Sequence, residues 1–172
     1  GLLTENYGEA RRINAGSPEP LWTGGFNTEL SWKGISLGIQ LEARYGNKVL
    51  NQDRSLFEAD GSYGDSNIWK GALNYWKKPG DTNVLPKPIY NNSSNSSQIS
   101  TRYLEDGSYL RIKDITLAYN LPSKWTKKAL MSGVRIYASA LNLYTFHNMN
   151  YWDPEHGTTG ATIISYPMTR SM

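Results

Sequence analysis

The sequence contains no cysteine, has few charged residues and lacks any long apolar run. Without cysteine the chain can form no disulfide bond, thiol nucleophile or thiolate metal site. Charged residues make up only 19% of the chain, which excludes a coiled coil and a highly charged disordered segment. No stretch approaches the ~18 consecutive apolar residues that a membrane-spanning helix requires. The basic residues are scattered, so the sequence also shows no nucleic-acid footprint.

Glycine and aromatic residues are abundant instead, and their placement points to strands. The chain has 172 residues, of which 16 are Gly, 12 are Tyr and 6 are Trp. At roughly 150 residues per domain, this length fits one domain or a piece of a larger one. The first residues lack the basic region and apolar core of a signal peptide. We therefore expect either an intracellular protein or an internal fragment.

Two segments alternate between apolar and polar residues with a period of two, which predicts strands with one apolar face. The predicted strands cover about residues 21–32 and 35–45, joined by a short turn at Lys33-Gly34. The second has the cleaner pattern, with apolar residues at Ile35, Leu37, Ile39, Leu41, Ala43 and Tyr45. Its length matches the ~9–11 residues of a tilted strand that crosses a bilayer.

Two further strands are predicted at about 108–121 and 134–146. The apolar parity slips near Lys113-Asp114, which predicts a β-bulge. A short helical turn is expected between these strands, from Pro122 to about Leu130. A fifth strand is expected to begin near Tyr166. The fold prediction is therefore all-β and antiparallel, with four to five strands.

The connections alternate between short and long. Short ones lie at 33–34 and 122–132, and long ones at about 46–105 and 147–166. Transmembrane β-barrels of the bacterial outer membrane have short periplasmic turns and long extracellular loops. The pattern therefore favours a barrel segment with two long extracellular loops, although a soluble β-sandwich with aromatics in its core fits the alternation equally well.

Candidate functional residues fall into two groups. Helix-like spacing over 66–76 predicts a helix in the long loop, where exposed rings could contact a ligand or pin the loop to the barrel rim. These candidate ligand-binding residues are Trp69, Tyr75 and Trp76. The polar parity of the second strand predicts side chains that face the barrel lumen. These are Gln40, Glu42 and Arg44.

Metal sites and catalysis find little support in the sequence. His147 and His156 lie near Asp153 and Glu155, but no third convincing ligand accompanies the histidines. The acidic residues of the long loop do not have the spacing of a calcium-binding EF-hand loop. They are Asp53, Glu58, Asp60 and Asp65. No nucleophile elbow, phosphate-binding loop or dinucleotide motif is present, so we predict no enzyme activity and no cofactor.

Several motifs resemble the SusC/RagA family of TonB-dependent outer-membrane transporters. The resemblance is carried by the segments at 20–27, 31–35, 45–49, 102–122, 134–146 and 151–155. The longest reads RYLEDGSYLRIKDITLAYNLP, and the last reads YWDPE. Together they span most of residues 18–168 in family order. Two features depart from the family: residues 4–16 have too few carboxylates for a calcium loop, and the chain ends without a terminal aromatic residue.

The resemblance implies that residues 1–172 are the C-terminal part of a 22-stranded barrel whose N-terminal plug is absent from this chain. It implies import of glycans or peptides with a SusD-like surface lipoprotein as the lid. It also implies contact with outer-membrane lipid, and energy supplied by the TonB complex through a part of the protein outside this chain.

Two other functions remain open on the sequence alone. One is a soluble β-sandwich module that binds carbohydrate on Trp69, Trp76 and Trp152. The other is an adhesin or structural barrel of the cell surface, which would require no transport.

Overall fold

The structure, a computed structural model, describes residues 6–62, 67–82, 85–92, 96–155, 161 and 169–172. Within these ranges the longer elements are β1 (Trp22–Trp32), β2 (Ile35–Tyr45), β3 (Lys48–Leu50), α1 (Gln52–Phe57), β4 (Leu104–Asp106), β5 (Tyr109–Asn120), α2 (Ser123–Thr126) and β6 (Arg135–His147). Short 3-10 helices lie at Tyr7–Glu9, Lys70–Leu73, Thr101–Tyr103 and Lys127–Ala129. Strands dominate the fold, as the sequence predicted.

The four long strands form one antiparallel sheet in the order β1-β2-β5-β6. β1 and β2 are paired without a break, from Trp22 opposite Tyr45 to Trp32 opposite Ile35. Their two-residue connection has φ of 48° at Lys33 and 89° at Gly34, and such a turn suits the right-handed twist of paired strands. The predicted Lys33-Gly34 turn is therefore confirmed. We call this end of the sheet the turn end and the opposite end the loop end.

The large apolar side chains of β1 and β2 share one face, and this face is exposed. On β1 the exposed fractions of Trp22, Phe26 and Leu30 are 57%, 59% and 61%. Their partners on β2 belong to the alternating apolar set of the sequence. The only second sheet in the described residues pairs the short β3 and β4. A β-sandwich needs a second full sheet on this face, so the sandwich prediction does not match the described structure.

The parity slip predicted in the third long strand is a real irregularity of the sheet. The pairing of β5 with β6 shifts between Ile112 and Asp114, and the pairing of β2 with β5 shifts between Gln40 and Leu41. Asn142, on the neighbouring strand, has a positive φ of 50°. The shift lets apolar residues on both sides of Lys113 reach the same face.

The long connection between β2 and β5 is structured, contrary to its polar, irregular sequence. β3 pairs with β4 beside the loop end, and α1 follows β3 directly. Val49, Asn51 and Tyr103 in this region have exposed fractions of 0%. The helix predicted over 66–76 is wrong for the described residues 67–76, which hold only the 3-10 helix Lys70–Leu73.

The connection between β5 and β6 contains the helical turn that the sequence predicted. α2 begins after Pro122, and a 3-10 helix follows it as far as Ala129. Leu130 ends this turn with a positive φ of 56°. Backbone hydrogen bonds from Asn120 to Gly34 (2.8 Å) and from Leu121 to Val134 (2.9 Å) attach the turn to the sheet.

The C-terminal residues return to the free edge of β6. The backbone groups of Ser171 and Leu141 exchange two hydrogen bonds of 2.8 and 3.3 Å. The start of the fifth strand predicted near Tyr166 lies outside the described residues. Within the described ranges, every helix is too short or too polar to cross a membrane.

Candidate functional site

The polar face of the sheet carries a group of charged side chains near the loop end. β2 contributes Glu42, and β5 contributes Arg111 and Lys113. Glu42 and Arg111 are direct cross-strand partners, so they point to the same face. Asp153 and Glu155 come from the segment that follows β6. We call these five residues the polar-face cluster.

Arg111 is the centre of the polar-face cluster and is fully buried. Its guanidinium contacts the carboxylates of Asp153 and Glu155. Lys113 Nζ lies 3.0 Å from a carboxylate oxygen of Glu42 and 3.1 Å from one of Glu155. A buried guanidinium needs such partners, because removing an unpaired charge from water costs on the order of several kcal/mol. These ion pairs hold the segment after β6 against the polar face of the sheet.

Tyr109 on β5 connects the polar-face cluster to Arg44 on β2. Its hydroxyl donates a 2.7 Å hydrogen bond to Glu42 Oε1. Its ring centre lies 5.5 Å from the guanidinium carbon of Arg111 and 5.9 Å from that of Arg44. Two of the predicted lumen-facing residues, Glu42 and Arg44, thus meet at Tyr109. The third, Gln40, is exposed and lies opposite Asp114 in the register of β2 and β5.

An open cavity of about 590 Å³ lies beside Arg111. Thr145, His147, Trp152 and Asp153 line it together with Arg111. The lining offers both charges, a hydroxyl and aromatic surface, a combination that suits a polar ligand held by several weak contacts. The described lining contains no activated nucleophile beside a base, which the chemistry of an acyl-transfer site would require.

A second polar network lies in the long connection and centres on Glu105. Its Oε1 accepts a 2.7 Å hydrogen bond from Arg54, and its Oε2 accepts one of 2.7 Å from the backbone N–H of Asn150. The side-chain amide of Asn51 donates to Glu105 Oε1 at 3.3 Å and to the Asn150 carbonyl at 3.0 Å. This network ties the connection between β2 and β5 to the segment after β6.

The surroundings of Arg54 and of the nearby Asp106 shift the pKa values of these two side chains. Burial alone would lower the pKa of Arg54, but its hydrogen bonds to Glu58 and Glu105 raise it. At the end of β4, a hydrogen bond from the Ser108 hydroxyl lowers the pKa of Asp106, against the opposing effect of burial. A carboxyl group with a lowered pKa stabilises the folded state above its unfolded pKa and loses this contribution as the pH falls through the folded pKa.

The three aromatic candidates of the long loop occupy different environments. Trp69 stacks on Phe57 at 4.8 Å between ring centres and lies 3.9 Å from the ring of Tyr151. Tyr75 is half-buried, with Lys77 Nζ 5.3 Å from its ring centre. Trp76 is 39% exposed. Trp69 therefore holds the loop together, and Trp76 is the most accessible of the three.

The three tryptophans proposed as a sugar platform are not all exposed. Trp69 is enclosed by its aromatic neighbours, and Trp152 is half-buried with its indole N–H enclosed and unpartnered in the structure. Of the three, only Trp76 is exposed, at 39%. A stacking platform requires accessible ring faces, so this arrangement does not support it.

The acidic residues considered as metal ligands have other partners. Asp153 and Glu155 pair with Arg111, and Glu58 pairs with Arg54 at 2.9 Å. Asp60 accepts hydrogen bonds from Ser62 and Asn92, while Asp53 is buried at the start of α1. His147 lies beside the cavity, and both His156 and Asp65 lie outside the described residues. In the part of the chain that is described, no three His, Cys, Asp or Glu side chains converge as a metal site would require.

Sequence reasoning missed Arg111, Lys113 and Glu105 as functional or structural centres. Arg111 stands between the apolar residues Leu110 and Ile112, so the alternation of β5 could have placed it on the polar face. There it lies opposite Glu42 once β5 pairs with β2. The sequence around Glu105 did not mark it as the centre of a network, because it appeared only as one of two adjacent acidic residues, Glu105 and Asp106, beside a turn.

Comparison with known proteins assigns the family. TonB-dependent receptor P3 of Formosa agariphila is 34% identical over 146 residues, which are 85% of this chain and 14% of that protein. TonB-dependent receptor P26 of the same organism is 28% identical over 171 residues, covering 91% of this chain and 17% of that protein. The RagAB peptide importer in its closed-closed state gives a TM-score of 0.75 at 33% identity, covering 91% of this chain and 17% of that chain. The chain belongs to the SusC/RagA family of TonB-dependent transporters.

The likeness to RagAB also fixes the fold class of this SusC/RagA-family chain. Its all-β sheet is a segment of a β-barrel wall, as the sequence predicted. The open-open state of the RagAB peptide importer gives a TM-score of 0.74 at 31% identity, covering 92% of this chain and 18% of that chain. The segment thus resembles both states equally well. No profile of a known protein family matches the sequence.

Proposed function

We propose that this chain forms part of the wall of an outer-membrane importer. Its exposed apolar face contacts the lipid, and its polar face, with Gln40, Glu42 and Arg44, faces the lumen. The loop end with both long connections lies outside the cell, and the turn end lies in the periplasm. The segment acts as the C-terminal part of a larger barrel, with the plug contributed by another part of the protein.

One observation supports this proposal more than any other: the apolar face of the sheet is exposed while the opposite face holds buried charges. Trp22, Phe26 and Leu30 are more than half exposed, whereas Arg111 is 0% exposed. A water-soluble sheet buries its apolar face and exposes its charged one. The reverse arrangement is the one that a lipid-facing barrel wall with a polar interior requires.

The proposed mechanism of this segment is passive, without catalysis. The loop end contributes to substrate binding and to contact with a SusD-like lipoprotein, with Trp76 and Tyr75 as candidate contacts. The TonB complex would supply energy through another part of the protein. The substrate is a peptide or an oligosaccharide, and the likeness to a protein named as a peptide importer favours a peptide.

Deletion of the full-length gene tests the proposal. We expect the protein in the outer-membrane fraction, and we expect the deletion strain to lose uptake of fluorescent peptides. Fluorescent oligosaccharides, measured in parallel, distinguish the two substrate classes. The matched control is the deletion strain complemented with the intact gene, which should restore uptake. Recovery of the protein in the soluble fraction, or unchanged uptake of both classes, would contradict the proposal.

A further inference from the structure

The turn end of the sheet carries only positive charge. Its basic residues are Lys33, Lys124, Lys127, Lys128 and Arg135. No Asp or Glu occurs in 30–41 or in 115–140, the sequence ranges that build this end. Because the chain has 18 basic and 15 acidic residues, removing these five leaves an excess of acidic residues in the rest. The excess positive charge of the molecule is therefore concentrated at the turn end.

These basic side chains are available for an external partner. All five are exposed, and none takes part in an ion pair within the described residues. Lys33 Nζ lies 4.6 Å from the ring centre of Trp32. Hydrogen bonding of Asn120 to Gly34 and pairing of Asn120 with Arg135 bring the two connections of the turn end side by side.

Exposed apolar side chains accompany the positive charges. Trp125 is 61% exposed, Met131 is 46% exposed and Leu130, at the end of the helical turn, is 97% exposed. Such side chains next to lysines are the features of a segment that lies in the interface of a membrane, with its apolar groups inserted and its cations among the head groups.

An apolar groove on the sheet begins at the same end. It is lined by Lys33, Ile35, Leu117, Tyr119 and Ile136, among other residues. The four uncharged members belong to the face that we assign to lipid, and Lys33 adds a cation to the lining. A groove with an apolar floor and a cation beside it matches an acyl chain that leads to an anionic head group.

We infer that the turn end binds an anionic phospholipid of the inner leaflet, with an acyl chain in the groove and the phosphate near Lys33 and the lysines of α2 and the following 3-10 helix. The inference rests on the proposed function, because a barrel wall in the outer membrane brings phospholipid head groups to this end. The complementarity is between one phosphate-bearing lipid and a surface with four lysines and no carboxylate.

Photocrosslinking to a defined bilayer tests the inference. The full-length protein carries p-benzoylphenylalanine in place of Leu130, or in place of Trp125 as a second site, and is reconstituted in nanodiscs of equal parts phosphatidylglycerol and phosphatidylcholine. After illumination, mass spectrometry gives the ratio of the two lipid adducts. We expect phosphatidylglycerol adducts to predominate several-fold. The same probe in place of Leu110, on the apolar face near the loop end, should report a ratio near one.

Charge variants then test the cause of the preference. Lys124→Gln, Lys127→Gln and Lys128→Gln together should reduce the adduct ratio at least about fivefold, since each basic residue near an anionic surface contributes about that factor. The matched control is Lys70→Gln, Lys78→Gln and Lys87→Gln, three exposed lysines of the long connection, which changes the net charge equally and should leave the ratio unchanged.

Three outcomes would overturn the inference: equal adducts of both lipids at position 130, an unchanged ratio in the lysine variant, or crosslinks to a protein instead of lipid. Failure of the inference is distinguishable from failure of the proposed function. A protein that is recovered from the outer membrane and transports substrate, but shows no lipid preference, contradicts the inference alone. A protein absent from the outer-membrane fraction contradicts the proposed function.

Discussion

The sheet and the long connection between β2 and β5 are organised in opposite ways. The sheet exposes its apolar side chains and has its fully buried guanidinium, Arg111, on the polar face. The connection instead builds a small core in which Val49 and Tyr103 are completely buried beside Asn51 and Glu105. The sheet thus suits the apolar surroundings of the proposed membrane location, whereas the connection buries apolar groups as a water-exposed region does.

This contrast indicates where each region obtains its stability. In the proposed barrel, lipid covers the exposed face of the sheet, and hydrogen bonds between neighbouring strands satisfy the backbone groups without water. The connection has no repeating pattern of apolar residues, and a network of hydrogen bonds around Glu105 joins its segments instead. A single substitution should therefore have different consequences in the two regions.

Replacing one apolar side chain of β2 by arginine should have the largest effect on stability. An arginine on the lipid face of a barrel costs ~2–4 kcal/mol near the bilayer midplane. We expect Ile39→Arg to lower the free energy of unfolding of the full-length protein in lipid bilayers by about that amount. The matched control is Gln40→Arg, one residue along the strand on the polar face, where the cost should be close to zero.

The measurement is a denaturant titration of both variants in the same vesicles, read from the heat-modifiable shift in gel mobility. Equal destabilisation by the two substitutions would remove the distinction between the faces. A larger effect at Gln40 than at Ile39 would reverse the assignment of lipid and lumen.

Loss of the Glu105 carboxylate should have a moderate and local effect. Glu105→Leu removes one hydrogen bond of the Asn51 amide and the acceptor of the Asn150 backbone N–H, while Asn51 keeps its bond to the Asn150 carbonyl and Arg54 keeps its pair with Glu58. Hydrogen bonds to charged groups contribute about 1.5–3 kcal/mol, so we expect the connection to become easier to open by about 2 kcal/mol.

Hydrogen exchange of the full-length protein should show this as faster exchange in 47–51 and 104–106 with no change in the sheet. Glu19→Leu, at an exposed glutamate outside both regions, is the control and should change neither region. Faster exchange throughout β2 and β5 would show that the two regions are not independent.

The difference between the regions also explains what could be predicted from the sequence. The strands were predictable because alternation from Ile35 to Tyr45 is local, and the bulge was predictable because the parity of apolar residues changes at Lys113. The Glu105 network was not, because its partners Arg54, Asn51 and Asn150 lie 51, 54 and 45 residues away in the chain. No local pattern encodes such distant contacts.

The helix predicted over 66–76 failed for the same physical reason. Its aromatic spacing suits a helix face, but Trp69 is used instead to stack on Phe57 and Tyr151, which come from other parts of the chain. Of the predicted site residues, Glu42 and Arg44 are joined at Tyr109. The charges that complete the site come from Asp153 and Glu155, whose return to the sheet follows from tertiary contacts.

The smallest expected effect separates the two roles of the loop tryptophans. Aromatic pairs contribute about 0.5–1.5 kcal/mol beyond simple burial, so Trp69→Leu should weaken the connection by about 1 kcal/mol. Trp76→Leu should cost less than ~0.5 kcal/mol, as is usual for an accessible side chain without special contacts. Proteolysis of the connection in the full-length protein, at a fixed ratio of protease to protein, provides the measurement.

Uptake assays on the same two variants then decide between binding and support. If Trp76 contacts substrate or the lid lipoprotein, Trp76→Leu should reduce uptake although the connection remains resistant to protease. If both rings only support the loop, uptake should fall in proportion to protease sensitivity, and Trp69→Leu should have the larger effect. Normal uptake by Trp76→Leu would therefore remove this residue from the binding surface and leave the polar-face cluster as the candidate contact.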